Sequence, residues 1–356
     1  MLEVTVCPEC GVPHLFNVEI SWLNNGDIVQ RQNLNARAAF IECENLDPLF
    51  KNIGDIIGMP IERLVINITA RGSERFNSAN MPKQLVEMIR SKQIDIVPIA
   101  EAIGMRGQIM GYGKHEWIDY RYENDEDDFS VQRITAPFSV ALIAGSYAGA
   151  LSAAVGGEHG VSYKEEEPGV YQFRTHWDKY QEELKKRMAI VPYNHQEGDL
   201  ALEPCPSCSG PKALSVYEWL PDQGQIKHRL SGHRMALLGP QLMDPVFSAL
   251  QDELGDTIPE TVVEAQRRFV RTGFDFSDFM GSEDNFRAGL ALRGLGNLQS
   301  FKMAGKGVRM ELDNACLPLL LLGFVQGTFE LAFNIESNIE WDLAEDGRLE
   351  LELSPK

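Results

Sequence analysis

CPECGVPHLFNVEISWLNNG at Cys7–Gly26 returns 198 residues later as CPSCSGPKALSVYEWLPDQG at Cys205–Gly224. Each stretch opens on a Cys-Pro-x-Cys turn and closes on a turn glycine, so the pair reads as one unit written twice. Further landmarks keep almost the same step. LDPLF at Leu46–Phe50 pairs with MDPVF at Met243–Phe247, and Gly58 with Gly255, both at 197. Later the step shortens to 178, where GSYAG at Gly145–Gly149 pairs with GFVQG at Gly323–Gly327, and GVYQF at Gly169 with GRLEL at Gly347. The shortening implies a loop deletion in the second half. The expected organisation is a first repeat over 1–176, a helical linker over 177–204 and a second repeat over 205–356.

Each half reads as the same series of elements. A knuckle precedes a hairpin, with strands over His14–Trp22 and Asp27–Asn33 turning at Asn24–Gly26. A strand over Ala38–Cys43 follows, then a helix over Leu46–Ile57 capped by Asn45, and a second helix running from Pro60 towards Arg71, with its copy at Pro259. Strands are expected around Gln108–Tyr112, Glu116–Tyr122 and Phe129–Ile134, a helix over Pro137–Val155, and closing strands at Val161–Glu166 and Val170–His176. Asp178–Lys186 reads as a short charged helix between the halves, and Pro192–Pro204 as a linker. The fold class is α/β in the α+β sense: two duplicated mixed domains with largely antiparallel sheets, joined by a zinc-ribbon-like element.

A chain of 356 residues, 44% hydrophobic and 24% charged, has the material for two cores. Its 33 basic and 52 acidic residues give a net charge of −19, which repels phosphate backbones and anionic lipid, so nucleic acid is excluded as a partner. Met1–Val6 runs straight into the cysteine motif without a secretory pattern, giving an expected cytoplasmic location. The longest apolar run, Cys316–Ile335, contains Pro318, Gln326 and Glu330 and suits a buried helix better than a membrane span.

Zinc in structural sites takes four soft ligands in a tetrahedron, and one CPxC turn supplies two. The simplest completion is a single structural zinc held by Cys7, Cys10, Cys205 and Cys208. Closing so long a loop costs only about 2 kcal/mol more than closing a 15-residue one, against on the order of 10 kcal/mol from structural zinc. A redox dithiol would place one CxxC at a helix start within a βαβ unit, and neither knuckle has that setting; an iron–sulfur cluster is the other rival. Cys43 and Cys316 lack cysteine counterparts and read as small buried hydrophobes.

Catalytic motifs are missing in the patterns that would name an enzyme. Gly111–Gly113 lacks the third glycine of a dinucleotide loop, Ala304–Gly307 lacks the hydroxyl residue of a phosphate loop, and Ser146 misses the nucleophile-elbow register. The acidic run Glu123–Asp128 lacks the glycine and closing glutamate of a calcium loop and reads as a hairpin tip. His115, His159 and His176 have no matching histidine in the second half and read as surface or core residues. Binding therefore fits the chain better than catalysis.

The helix PFSVALIAGSYAGALSAAV and its counterpart CLPLLLLGFVQGTFELAF are apolar all round and keep both glycines of GxxxG. Such a helix is buried. Small residues let it approach a sheet or leave a gap for an apolar ligand. A strand, a GxxxG helix and two closing strands, at Ile134–His176 and Leu312–Ser354, resemble the end of the 4-vinyl reductase or hydrocarbon-binding domain family, and the preceding helices extend the resemblance to about 150 residues of each half. The resemblance implies a domain that holds small apolar ligands such as aromatics or tetrapyrrole-related compounds, akin to sensor domains of phenol-responsive regulators and to TRAPP vesicle-tethering subunits. Many members carry metal-binding cysteines in the closing strands; this chain has none there, which leaves the knuckles as its metal ligands.

The expected function is a cytoplasmic, zinc-containing binder of an apolar, aromatic or tetrapyrrole-like molecule, acting as sensor, carrier or accessory factor. Ligand-binding candidates are Tyr112, Trp117, Tyr147 and Gly149 in the first half and Phe301, Phe324 and Gly327 in the second. One alternative is an interaction module with filled cores, docking a protein partner or forming a homodimer. Another is an accessory subunit of a reductase.

Overall fold

The computed structural model describes residues 4–179, 193–273, 282–304 and 307–356. In the first half the elements are α1 (His14–Glu19), β1 (Ile20–Trp22), β2 (Ile28–Gln30), β3 (Asn33–Glu42), α2 (Cys43–Ile57), α3 (Glu62–Asn80), α4 (Lys83–Arg90), α5 (Val97–Ile109), β4 (Lys114–Arg121), β5 (Phe129–Thr135), α6 (Val140–Val155), β6 (His159–Glu167) and β7 (Val170–Trp177). The second half gives β8 (Tyr217–Leu220), β9 (Gln225–His228), β10 (Arg234–Leu238), α7 (Asp244–Leu254), α8 (Ile258–Arg271), α9 (Glu283–Leu292), β11 (Asn297–Ala304), β12 (Gly307–Asp313), α10 (Pro318–Phe333), β13 (Ser337–Leu343) and β14 (Leu349–Pro355). The chain is α+β with antiparallel sheets, as expected. Among the described residues no helix is long and apolar enough to cross a membrane.

Two four-stranded sheets close the halves, ordered β4-β5-β7-β6 and β11-β12-β14-β13, each with its apolar helix inserted between the second and third strands in sequence. Alternation fixes which face they bury. In β14, Leu349, Leu351 and Leu353 are buried while Glu350 and Glu352 face solvent.

The hairpin strands of the two halves join in one sheet. β3 pairs with β10, Phe40 opposite Leu237, giving six strands in the order β1-β2-β3-β10-β9-β8. Both faces are covered. Ala39, Ile41, Ala236 and Leu238 enter a large core with the helices, and that core runs without a break through both halves. Ala38, Phe40, Met235 and Leu237 enter a second core under the knuckles. There Phe40 stacks on Tyr217 with ring centroids 5.0 Å apart, and Phe16 meets Trp219 edge-on at 5.5 Å. Such pairs add about 0.5–1.5 kcal/mol each beyond their buried area.

Each half reaches into the other. α2 leaves β3 to pack on α8, with Asn52 donating from Nδ2 to the Ala265 carbonyl at 3.1 Å, while α7 packs on both α3 and α8. The two hairpin turns are exchanged in the same way. Gly26 sits so close to Gly296 that a Cβ would lie 2.4 Å from its carbonyl carbon, and a Cβ on Gly224 would lie 2.1 Å from that of Gly113, whose N–H donates to the Gly224 carbonyl at 2.9 Å. Buried charges lock the junction. Arg37 pairs with Asp27 at 2.5 Å and donates to the Asn314 carbonyl, and Arg293 pairs with Glu42 at 2.6 Å and donates to the Phe40 carbonyl.

Several local expectations are corrected. The first strand does not run from His14, because His14–Glu19 is helical: Pro13 sets its entry, and Phe16 and Ile20, four apart, are both buried. Gln108–Tyr112 is the end of α5 and the turn after it rather than a strand. Gly104 and Gly107 lower its helix propensity but let it lie against β4, where a Cβ on Gly104 would be 3.2 Å from that of His115. The helix expected from Leu46 begins at Cys43, and Asn45 makes no cap bond; the helix expected towards Arg71 runs on to Asn80. The charged helix expected at Asp178–Lys186 falls almost wholly on residues outside the described ones. α4 has no counterpart among the described residues of the second half.

Candidate metal centre and ligand cavity

Both knuckles fold alike because their backbones close the same ring. The Cys7 N–H donates to the Val12 carbonyl and the Gly11 N–H to the Cys7 carbonyl, each at 2.9 Å; the Cys205 N–H donates to Gly210 at 2.7 Å and the Ser209 N–H to Cys205 at 2.8 Å. The residue after the second cysteine takes a left-handed conformation in both, Gly11 at φ +75° and Ser209 at +61°, and the second site bears a side chain where glycine is the easier choice. A short antiparallel bridge seals each loop, Val6 to Pro13 and Pro204 to Pro211.

The six-stranded sheet sets the two knuckles face to face. Cys7 Sγ lies 3.7 Å from Cys205 Sγ, Cys10 Sγ lies 3.5 Å from Cys208 Sγ, and all four sulfurs are within 4.8 Å of one another. A disulfide sulfur pair sits at about 2.05 Å, so neither contact is one. A tetrahedron with metal–sulfur bonds of about 2.3 Å has edges of about 3.8 Å, which these separations approach. Burial opposes the Cys7 thiolate, but N–H groups of Cys10 and Glu9 outweigh it and bring that thiol down to about 7. Burial pushes the Cys10 and Cys208 thiols up, leaving them to depend on a cation for ionisation. Cys43 and Cys316 are buried elsewhere, each pushed up to about 12 by burial.

A second feature lies mainly against α3, α5, α6 and β4 of the first half, with Leu237, Gly239, Gln241 and Leu242 of the second half completing its wall. It is a cavity of about 280 Å³ whose lining includes Tyr112, His115, Trp117, Gln132, Ser146 and Tyr147. Most of its other walls are apolar. His115 Nδ1 is 3.4 Å from Gln132 Oε1, and with that nitrogen donating, Nε2 is an acceptor. Burial drives the His115 pKa down to about 4, so the ring is neutral at physiological pH. His115 Nε2, Trp117 Nε1 and Ser146 Oγ are buried without hydrogen-bond partners. Tyr147 donates to Ser130 Oγ at 2.6 Å, and Tyr112 to the Leu237 carbonyl at 2.8 Å. A wider, open groove of about 1000 Å³ beside α2 holds Asp47 and Glu62, but these already accept from Ser139 and Tyr163.

Three candidates, Tyr112, Trp117 and Tyr147, therefore line one cavity, and the other four do not. Gly149 and Gly327 face helices rather than a sheet or a gap. A Cβ on Gly149 would lie 2.0 Å from the Ala70 carbonyl oxygen on α3, and one on Gly327 2.6 Å from Val270 Cβ on α8. Phe301 meets Phe286 edge-on at 5.3 Å, and Phe324 is buried beside a space of about 30 Å³. His115, Gln132 and Ser146 were missed as lining residues, since none of them stands in a motif that marks a site.

No family model matches the sequence, and no curated protein does. Matching solved structures include a mutant of T. tengcongensis H-NOX, 18% identical over 33% of this chain and 75% of that one, with a TM-score of 0.25. Another is Cs H-NOX with 4-cyano-L-phenylalanine at site 5, 19% identical over 40% of this chain and 82% of that one, with a TM-score of 0.27. Likeness at that level assigns neither fold nor ligand.

Proposed function

We propose that this chain binds one small, largely apolar or aromatic molecule in the first-half cavity and that a structural zinc ion on Cys7, Cys10, Cys205 and Cys208 fastens its two halves together. The halves, 1–176 and 205–356, are read as copies of one unit joined by the segment between them. Four thiolates leave zinc no open position, so the ion would hold structure and supply no reaction. The role that suits this arrangement is sensing, carrying or presenting the bound molecule.

One observation carries the binding reading: an apolar cavity whose lining includes three buried polar atoms without partners, on His115, Trp117 and Ser146. Each such atom costs about 1–3 kcal/mol unless something pairs with it. A volume of about 280 Å³ exceeds the roughly 150 Å³ that accepts benzene and approaches the lower end of ordinary ligand sites. A hydroxyl on an aromatic ring fits the chemistry: it donates to the neutral His115 Nε2 and accepts from the Trp117 or Ser146 donor. A tetrapyrrole-like ligand is disfavoured by size.

Native mass spectrometry of the purified chain, followed by calorimetric titration with phenol and with toluene, tests both parts. The expected result is one zinc per chain and phenol bound about tenfold more tightly than toluene, the value of one hydrogen bond of about 1.4 kcal/mol. In His115→Leu the preference disappears. A chain that carries no zinc and takes up neither probe refutes the proposal.

A further inference from the structure

The two halves can be superposed residue by residue through contacts they share. On the helices, Gly145 packs on the Ile66 carbonyl and Gly323 on that of Val263, and Gly149 on Ala70 and Gly327 on Arg267. On the sheets, Ile134 pairs with His115 and Leu312 with Leu298, Gln132 with Trp117 and Met310 with Phe301, and Ser130 with Thr175 and Val308 with Leu353. These contacts fix counterparts for the cavity side chains on α3, α6, β4 and β5 without reference to sequence likeness.

Under that equivalence the polar groups at the aromatic end of the first-half cavity are replaced by hydrocarbon or thioether side chains. His115 becomes Leu298, Gln132 becomes Met310, Ser146 becomes Phe324 and Tyr147 becomes Val325. The hydroxyl pair behind Tyr147, Ser130 and Thr175 at 2.6 Å, becomes Val308 and Leu353. Size changes in the same sense. Gly72, which lines the cavity on α3, becomes Phe269, and both Phe269 and Phe324 are buried. The space beside Phe324 is about 30 Å³, one water molecule's share of volume.

We infer that the second half is a closed copy of the binding unit, that Phe324 and Phe269 are the side chains that close it, and that the chain holds a single ligand. This rests on the cavity reading above and adds the stoichiometry and the residues that set it. A cavity of one ligand's size would retain polar or small residues at these positions; among the described residues the counterparts named above are neither. Its closure is built from packed rings and branched chains that leave room for no more than one water molecule. Two unpartnered acceptors edge the small space beside Phe324, Asn45 Oδ1 and Gln266 Oε1, and they match the two donors of a water molecule rather than a larger guest.

The test is calorimetric titration with toluene of the wild type, Ser146→Phe, and the double variant Phe269→Gly, Phe324→Ser, with thermal melts to establish folding. The wild type is expected to take one equivalent, Ser146→Phe none, and the double variant a second equivalent. A wild type that takes two equivalents overturns this inference and leaves the cavity reading standing. A wild type that takes none overturns the cavity reading itself. A folded double variant that still takes one equivalent also overturns the inference, and if that variant fails to fold, the wild-type stoichiometry with Ser146→Phe decides.

Discussion

Replacing Gly149 by alanine separates a helix contact from a ligand contact. The added Cβ would lie 2.0 Å from the Ala70 carbonyl oxygen, 2.7 Å from the Glu74 nitrogen and 2.7 Å from Ser73 Cβ. Non-bonded heavy atoms rest about 3.5 Å apart, so α3 and α6 must part by about 1.5 Å. Two of the three atoms belong to backbone and cannot rotate aside. The cost therefore falls towards the upper end of the roughly 1–3 kcal/mol range for overpacking. Alanine recovers about 1 kcal/mol of helix propensity. The expected net loss is about 2 kcal/mol, a shift of roughly 3 °C in the melting midpoint for a chain of this length at about 2.1 cal/mol/K per residue. Urea and thermal unfolding measure it, with toluene titration alongside. Toluene affinity is expected to change far less than stability, because Gly149 faces α3 and not the cavity. A variant of unchanged stability that no longer binds would refute the helix-packing argument and return Gly149 to the ligand site.

Gly327→Ala is expected to cost about half as much, since the atoms it meets first belong to the Val270 side chain, and paired urea curves give the comparison. Extraction of the metal, or Cys205→Ser, is expected to remove on the order of 5 kcal/mol, the chain-closure value for a tie spanning about 195 residues; a chelator that strips zinc without moving the midpoint would count against the clamp. His115 has its folded pKa at about 4, below the ordinary value of 6.5, so its contribution is present above pH 6.5 and is lost as pH falls through 4. Between pH 7 and 4 the wild type is expected to lose about 3 kcal/mol more than His115→Leu, and equal losses would contradict a buried neutral imidazole. Arg37→Met leaves the buried Asp27 with only His195 and Asn25 as partners and is expected to cost about 3 kcal/mol, with Arg37→Met, Asp27→Asn recovering part; no recovery in the pair would mean that the two charges are not coupled.

The knuckles were legible because cysteine spacing survives any uncertainty about secondary structure, and the last strand, β14, because its alternation is strict. α1 and α5 were not. His14–Glu19 is one turn and a half, too short for a helical period to show, and the glycines of α5 imitate a break although they serve a close approach to β4. The GxxxG pattern announced proximity but not its partner, which proved to be a helix in each half. Tyr112, Trp117 and Tyr147 were found because aromatic residues invite attention. His115 and Ser146 lie 31 residues apart and share no motif, so only the fold, which brings both to one cavity wall, marks them together. A repeat offset also states which residues are equivalent, not which copy they touch, so the exchange of hairpin turns and of α2 and α7 could not be read from spacing.

That exchange has a consequence for how the molecule can be divided. The turn at Gly26 rests on Gly296, and the turn at Gly224 on Gly113, so a polypeptide ending at residue 176 would expose the seat beneath its own hairpin and leave its β4 end bare. Its hairpin turn would then need a seat supplied by another chain, so such a fragment is expected to pair with a second copy or to leave both surfaces open to water.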